Sequence, residues 1–336
     1  MSQAYKEAGV DIAAGEEAVE SMKEAVSATF NPQVLSKLGD FGGLFDLSAV
    51  MQKKGPVLVA STDGVGTKVE VARVMDRWDT VGQCLVNHCI NDILVQGAEP
   101  LFFLDFIGCH KLEPSKVADI VKGMAKACAE NGVALLGGET AEMGKVYAEG
   151  GYEVAGTIVG VVEKERLLTG SGIKAGDKVF GLPSTGLHTN GYTLARKVLQ
   201  DKDWIRDLHA GESIGEQLLK VHRCYLSEVK ALGESGISVR GLAHVTGGGI
   251  RGNFKRVLPD GLGAKLSLKG LSRPPIFDLV AELGGLSFED MEPAFNLGVG
   301  MMIVLRPEDG EKALSLLPEL FELGEIVESH SIEVQS

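Results

Sequence analysis

The residues best suited to chemistry lie in Ser61-Thr62-Asp63-Gly64-Val65-Gly66-Thr67-Lys68, directly after the apolar run Val57-Leu58-Val59-Ala60. A β-favouring run that ends in glycines, hydroxyls and a lysine brings backbone N–H groups, two threonine hydroxyls and an ammonium together, a set that suits polyphosphate. Asp63 is the odd member. A carboxylate beside phosphate repels it unless a metal ion sits between them, so the segment points to a metal–nucleotide site. It is not a Walker loop, because no glycine stands at the required spacing before Gly66, and Thr67 separates Gly66 from Lys68. It is not a dinucleotide fingerprint, because Val69 occupies the place of the third glycine. The alternative is a strand and a β-turn, with Gly64 and Gly66 present only for positive φ.

Two further carboxylates extend the set. Asp92 follows Asn91 inside an apolar helical pattern, and Glu139 follows Gly137-Gly138 after an apolar run. Carboxylates that face a core need partners, and a hard cation such as Mg²⁺ satisfies Asp63, Asp92 and Glu139 together through oxygen ligands. Taken singly, Asp92 on a wet helix face and Glu139 in a solvated turn need no ion. In Thr185-Gly186-Leu187-His188-Thr189-Asn190-Gly191, His188 suits phosphate or amide chemistry, and Asn190 either joins it or caps the next helix. His244-Val245-Thr246-Gly247-Gly248-Gly249 sets three glycines between a strand and a helix, which reads as a second anion loop with Arg251 and Lys255 close by, or as a tight turn. Two phosphate-type loops in separate halves suggest two phosphate-bearing ligands meeting in one cleft.

These residues need elements to position them. Strands are expected over residues 57–60, 101–106, 133–136 and 153–162, and helices over 13–28, 79–96 and 114–131. On the first helix, Val19, Met22 and Val26 fall on one face. A polar stretch over 163–176 marks a boundary, giving domains at 1–168 and 169–336. The second half reads as strands over 178–182, 241–245 and 299–305, with helices over 192–200, 215–233 and 308–316. Alternating strands and helices place the chain in the α/β class (α+β type), as two α/β domains.

Bulk properties narrow the function. The chain has 336 residues, enough for about two domains. Its net charge is −13 and it has no dense Lys/Arg block, so a nucleic-acid partner is not expected. Glycine reaches 44 of 336, about 13% against a usual value of about 7%, and clusters at the ends of apolar runs, which fits turns and close ligand approach. The five cysteines, Cys84, Cys89, Cys109, Cys128 and Cys224, form no Cys-x-x-Cys pattern and read as reduced apolar residues. With no signal-peptide pattern and no membrane-length apolar run, a cytoplasmic protein without a membrane partner is expected.

The ordered motifs resemble the aminoimidazole ribonucleotide synthetase family (phosphoribosylformylglycinamidine cyclo-ligase) over nearly the whole chain. They are Tyr5-Lys6-Glu7-Ala8-Gly9-Val10-Asp11, the Ser61–Lys68 segment, Asn91-Asp92-Ile93-Leu94-Val95-Gln96-Gly97-Ala98-Glu99-Pro100, Gly137-Gly138-Glu139-Thr140-Ala141-Glu142-Met143, Gly186-Leu187-His188-Thr189-Asn190-Gly191-Tyr192, the His244–Gly249 loop and Phe295-Asn296-Leu297-Gly298-Val299-Gly300-Met301. The resemblance implies an ATP-dependent ring closure in purine synthesis, from formylglycinamidine ribonucleotide to aminoimidazole ribonucleotide with ADP and phosphate released. It implies phosphorylation of a formamide oxygen, then displacement by the ribosyl-bearing nitrogen. It implies Mg²⁺ on Asp63, Asp92 and Glu139, and nucleotide contacts from Thr62, Gly64, Gly66, Thr67, Lys68 and Asn91. Lys23 and the loop at residues 39–43, with Gly42 and Gly43, are implied beside the nucleotide. His188 and Asn190 would orient the reacting amide or γ-phosphate, and His244 with Thr246, Gly247, Gly248 and Gly249 would face the substrate. A homodimer is implied, with two N-terminal sheets joined into a barrel. The chain departs from the family after Met143, where Gly144-Lys145-Val146-Tyr147 replaces the usual proline. The alternatives are a thiamine-monophosphate kinase-like phosphotransferase and a non-catalytic nucleotide-binding scaffold.

Overall fold

The computed structural model describes residues 12–40 and 42–336. The motif over residues 5–11 therefore lies outside the described residues. The chain separates into two compact units: residues up to Ile93 with Ala98–Glu165, and Leu94–Gly97 with Arg166–Ser336. The division falls at Glu165/Arg166, within the polar stretch expected to hold it and slightly before residue 168.

In the first unit β1 (Pro56–Gly64), β2 (Glu99–Cys109), β3 (Ala134–Glu142) and β4 (Tyr152–Glu163) form one sheet in the order β1-β4-β2-β3. β4 runs antiparallel to β1 and β2, while β2 and β3 are parallel. Helices α1 (Ile12–Ser27), α2 (Val69–Met75), α3 (Asp79–Leu94) and α4 (Pro114–Glu130) complete the unit, and α4 is the crossover that a parallel β2–β3 pair requires. On α1 the buried positions are Ala18 and Val26, whereas Val19 is 42% exposed. Val26 and the half-buried Met22 thus keep the expected face, with Ala18 taking the place of Val19. Helices α3 and α4 touch through glycines: a Cβ on Gly82 would lie 2.0 Å from the Ile120 carbonyl oxygen, and one on Gly123 would lie 2.0 Å from that of Asp79.

The strands run further than their apolar runs. Residues 61–64, read above as a turn, are the second half of β1 and pair with β4 as far as Gly64 opposite Ala155. Thr62 and Thr157 share a hydrogen bond of 2.7 Å across that pair, so the hydroxyls stabilise the sheet where a turn was expected. The chain turns only at Gly66, whose φ is +54°. Gly137, Gly138 and Glu139 likewise belong to β3, in register with Leu104, Asp105 and Phe106.

One ionic contact fastens α3 to β1. His88 Nε2 lies 2.8 Å from Asp63 Oδ2 and 3.4 Å from Asp92 Oδ2. Burial disfavours a charged imidazole, yet hydrogen bonds to Asp63 and Asp92 and their negative charges push His88 up to about 9. Burial likewise works against the Asp63 carboxylate, but the His88 hydrogen bond and charge hold it below 3.8.

In the second unit, β5 (Lys178–Pro183), β8 (Val239–His244), β9 (Leu262–Ser267), β10 (Val299–Leu305), β11 (Phe321–Glu328) and β12 (Ile332–Gln335) form a sheet in the order β12-β9-β11-β5-β10-β8. The short pair β6 (Leu208–His209) and β7 (Glu212–Ser213) stands apart from it. Val179, Phe254, Val299, Met302, Val304 and Leu323 are buried in one hydrophobic cluster. Its helices include α5 (Tyr192–Val198), α6 (Ile214–Leu219), α7 (Leu226–Glu234) and α8 (Gly249–Phe254). The single helix expected over 215–233 is two, α6 and α7. Lys220 leaves the helical region at φ −45°, ψ 130°, its ammonium is held 2.6 Å from Glu212, and the Val221 carbonyl accepts from Thr185 Oγ1. Tertiary hydrogen bonds thus break a helical pattern, and the broken segment carries His222.

Gly82→Ala and Gly123→Ala should each destabilise the fold by about 1–3 kcal/mol in denaturant titrations, as overpacking does. Gly15→Ala, in α1 with nothing within 4 Å of the new Cβ, should instead stabilise by about 0.5–1 kcal/mol. A group whose folded pKa is raised stabilises fully below its unfolded value and loses that contribution as pH rises through the folded one. The His88 contribution should therefore decline from pH 6.5 towards and past about 9. Denaturant midpoints measured without divalent cation should fall over that window, and more steeply than in His88→Gln.

Candidate functional site

In the first unit the structure gathers Asp63, Asp92 and Ser61 around His88. Ser61 Oγ donates to Asp92 Oδ2 at 3.2 Å, and the Gly64 N–H donates to Asp63 Oδ1 at 2.6 Å. The side chains of Asp63 and Asp92 keep 43% and 23% of their surface exposed, while His88 keeps 3%. Two part-exposed carboxylates therefore stand over a buried imidazolium. Strand register sets Asp63, Gly156, Asp105 and Gly138 in one row across the sheet. Asp105 lies on the helix-facing side with Asp63, and a Cβ on Gly138 would come within 2.2 Å of its carboxylate. Burial raises Asp105 to about 7.

Glu139 does not join this group. Side chains alternate along a strand, so Glu139, one residue beyond Gly138, points from the opposite face of the sheet, and it is exposed. Among the described residues, Asp63, Asp92 and Glu139 do not form a set whose oxygens all lie within 4.8 Å of one another. Lys68 is a second correction. It is fully buried, its ammonium faces the Cys84 thiol, and burial lowers its pKa, so it does not reach out to phosphate. Asn91 is also fully buried. Thr67 is exposed beside the positive-φ Gly66. Lys23 lies on an exposed face of α1, 3.3 Å from Glu20. Gly42 is exposed, and Gly43 is the close-approach point of its loop, where a Cβ would lie 2.4 Å from Leu136.

In the second unit the histidines converge. His188, His222 and His244 are all buried, with nitrogens within 4.8 Å of one another. His222 Nε2 lies 2.9 Å from His244 Nε2, and His222 Nδ1 lies 3.2 Å from Thr189 Oγ1. His188 holds φ +61°, a conformation unusual for a side-chain-bearing residue, and its Nε2 accepts the Thr185 N–H at 3.2 Å. Asn190 does not cap α5, since Gly191 occupies the cap. Its amide oxygen instead lies against the glycine loop, 3.1 Å from where a Gly247 Cβ would be.

The glycine loop is not an open anion cradle. The Gly248 and Gly249 N–H groups bond to Pro293 and Thr246 carbonyls, and Arg251 N–H donates to the buried carboxylate of Glu292 at 2.7 Å. Arg251 pairs with Glu289 at 2.8 Å. The Asn253 amide ties Thr246, Gly247 and Gly249 together through their carbonyls. A built-in carboxylate thus takes the place expected for phosphate. The positive φ of Gly248 and Gly249, +97° and +66°, and the Glu292 backbone 1.7 Å from a Gly249 Cβ explain those two glycines.

Sequence reasoning missed His88, Asp105 and His222. His88 carries a usable signal, because it lies four residues before Asp92 on one helix face. Asp105 needs the sheet register and His222 needs the helix break, and neither is visible in a local pattern.

Family models for the AIR synthase related protein match both units, the N-terminal domain over residues 45–162 and the C-terminal domain over 174–336. The phosphoribosylformylglycinamidine cyclo-ligase of Brevibacillus brevis is 49% identical over 329 residues, covering 97% of this chain and 94% of that protein. Among solved structures, a hydrogenase maturation protein HypE in complex with ATP aligns with TM-score 0.67 at 16% identity, covering 97% of this chain and 93% of its own. Thiamine-monophosphate kinase from Stenotrophomonas maltophilia aligns with TM-score 0.68 at 16% identity, covering 94% and 95%. At that identity the structures share the fold alone, whereas the sequence matches span both units, and the chain belongs to the phosphoribosylformylglycinamidine cyclo-ligase family of AIR synthase related proteins.

Proposed function

We infer that this chain is an ATP-dependent cyclo-ligase of purine biosynthesis, forming a C–N bond that closes the imidazole ring of formylglycinamidine ribonucleotide. The observation that carries this reading is near-half identity to a cyclo-ligase over 97% of the chain. The ATP complex of the HypE relative in fold supports ATP as the phosphoryl donor. The formamide oxygen of the substrate is a poor leaving group. Transfer of the γ-phosphoryl group to it releases ADP, and attack by the ribosyl-bearing nitrogen then expels phosphate and closes the ring. The catalytic demand is for positioning and charge stabilisation. Asn190 and His188 suit orientation of the amide, and His244 suits proton handling at the closing ring.

Asp63 and Asp92 are part-exposed carboxylates, hard oxygen donors, which fits Mg²⁺. When bound there, the ion would neutralise charge on the triphosphate. The His88 imidazolium opposes a bare cation, so metal should bind best together with the nucleotide. Glu139, on the other sheet face, is proposed as a nucleotide contact and not as a third ligand of the same ion.

That other face supports the proposed homodimer. Leu58 is 57% exposed and Leu104 is 37% exposed, alongside the Thr62–Thr157 pair. A second copy of the same sheet is the proposed partner, closing a barrel.

ADP release should occur with ATP and formylglycinamidine ribonucleotide and not with thiamine monophosphate. The reverse pattern would overturn the cyclo-ligase reading in favour of a kinase, and release with neither in favour of a scaffold. Asp63→Asn should lower turnover about a hundredfold or more in a chain that still folds, as circular dichroism would show. Leu58→Glu should shift a dimer to monomer in sedimentation velocity, and a monomeric unmodified chain at micromolar concentration would remove the barrel.

A further inference from the structure

We propose that His222 is a positioning residue that holds the His244 imidazole in a single tautomer, through a buried line running Thr189–His222–His244. The proposal rests on the reading that His244 acts in ring closure. His222, His188 and His244 retain 0%, 1% and 6% of their surface, so solvent does not compete for the ring nitrogens. The 2.9 Å separation of His222 Nε2 and His244 Nε2 is a hydrogen-bond distance, and two imidazole nitrogens attract at that range only when one carries the hydrogen. The pair therefore shares one proton at these atoms. Thr189 Oγ1, 3.2 Å from His222 Nδ1, gives the other ring nitrogen a hydrogen-bond partner and holds the ring in place. The proton shared at Nε2 then ties the tautomer of His244 to that of His222.

The surroundings keep the His222 ring where the line needs it. His188 stacks on it with centroids 4.0 Å apart and planes 19° from parallel. Tyr225 lies against His188 at 6.3 Å and donates its hydroxyl to the Pro183 carbonyl at 3.0 Å. Gly300 is the position that makes room, because a Cβ there would lie 1.7 Å from the Tyr225 oxygen and 2.8 Å from His188 Cε1. The parallel rings of His188 and His222 are poorly arranged for a shared metal, whose imidazole ligands radiate from one point. A three-histidine metal centre is accordingly the rival outcome.

The test uses the full chain labelled with ¹⁵N-histidine. The unmodified protein should show ¹⁵N–¹⁵N coupling across the His222–His244 hydrogen bond and one tautomer for His244. His222→Ala should abolish the coupling and leave His244 in mixed tautomers. Its kcat should fall about ten- to a hundredfold while KM for ATP and for formylglycinamidine ribonucleotide stays within about twofold. Thr189→Val should weaken both signals, and Thr189→Ser should rescue them. His222→Ala should add little to the loss in His244→Ala. Absent coupling in the folded chain beside an inactive His244→Ala would overturn the line alone. Coupling beside a fully active His244→Ala would overturn the catalytic reading of His244 and the proposal with it. Stoichiometric Zn²⁺ binding lost in each of the three histidine variants would replace the line with a metal centre.

Discussion

The contact of His88 with Asp63 and Asp92 governs the chemistry of the first unit. A buried imidazolium between two part-exposed carboxylates ties the middle of α3 to the end of β1. It favours the charged form of Asp63, and it places a positive charge between the two carboxylates. Removing such a cation leaves two acids of like charge close together, which disfavours the charged form of each. The same contact therefore serves stability and bears on the proposed binding of a metal–nucleotide ligand.

Glycine gives that arrangement its room. Gly82 and Gly123 let α3 and α4 meet backbone to backbone. Gly156 and Gly138 flank Asp105 in the row that begins at Asp63, leaving space for carboxylates on the helix-facing side. In the second unit, Gly300 makes room for Tyr225 and His188, and Gly249 for Glu292. The high glycine content thus serves close approach inside the molecule. It equally serves backbone turns, as at Gly66 and Gly248, where φ is positive.

Both units use internal groups where a sequence reading places ligands. Lys68 turns to Cys84 and away from solvent, and Glu292 takes the amide that a phosphate was expected to take. The groups proposed to serve the reaction are fewer and more specific: the Asp63 and Asp92 oxygens, Asn190 beside Gly247, and His188 and His244. That economy fits a reaction whose barrier is lowered by orientation and charge placement.

Local pattern determined much of this. The apolar runs marked β1, β4, β5 and β10, the periodicity marked α3 and α4, and the polar stretch before residue 176 held the division between units. The acid at residue 63, the acid at residue 92 and the histidines at 188 and 244 were legible because each stands in a motif with strong local composition. Tertiary structure decided what no short window contains. Pairing with β4 extended β1 through Asp63, and alternation along β3 sent Glu139 to the other face. The hydrogen bonds of Thr185 to the Val221 carbonyl and of Lys220 to Glu212 split one helical pattern and carried His222 to His244. The physical reason is one of range. Apolar periodicity reports which residues seek a core, whereas register, face and partner depend on groups that meet only after the chain has closed.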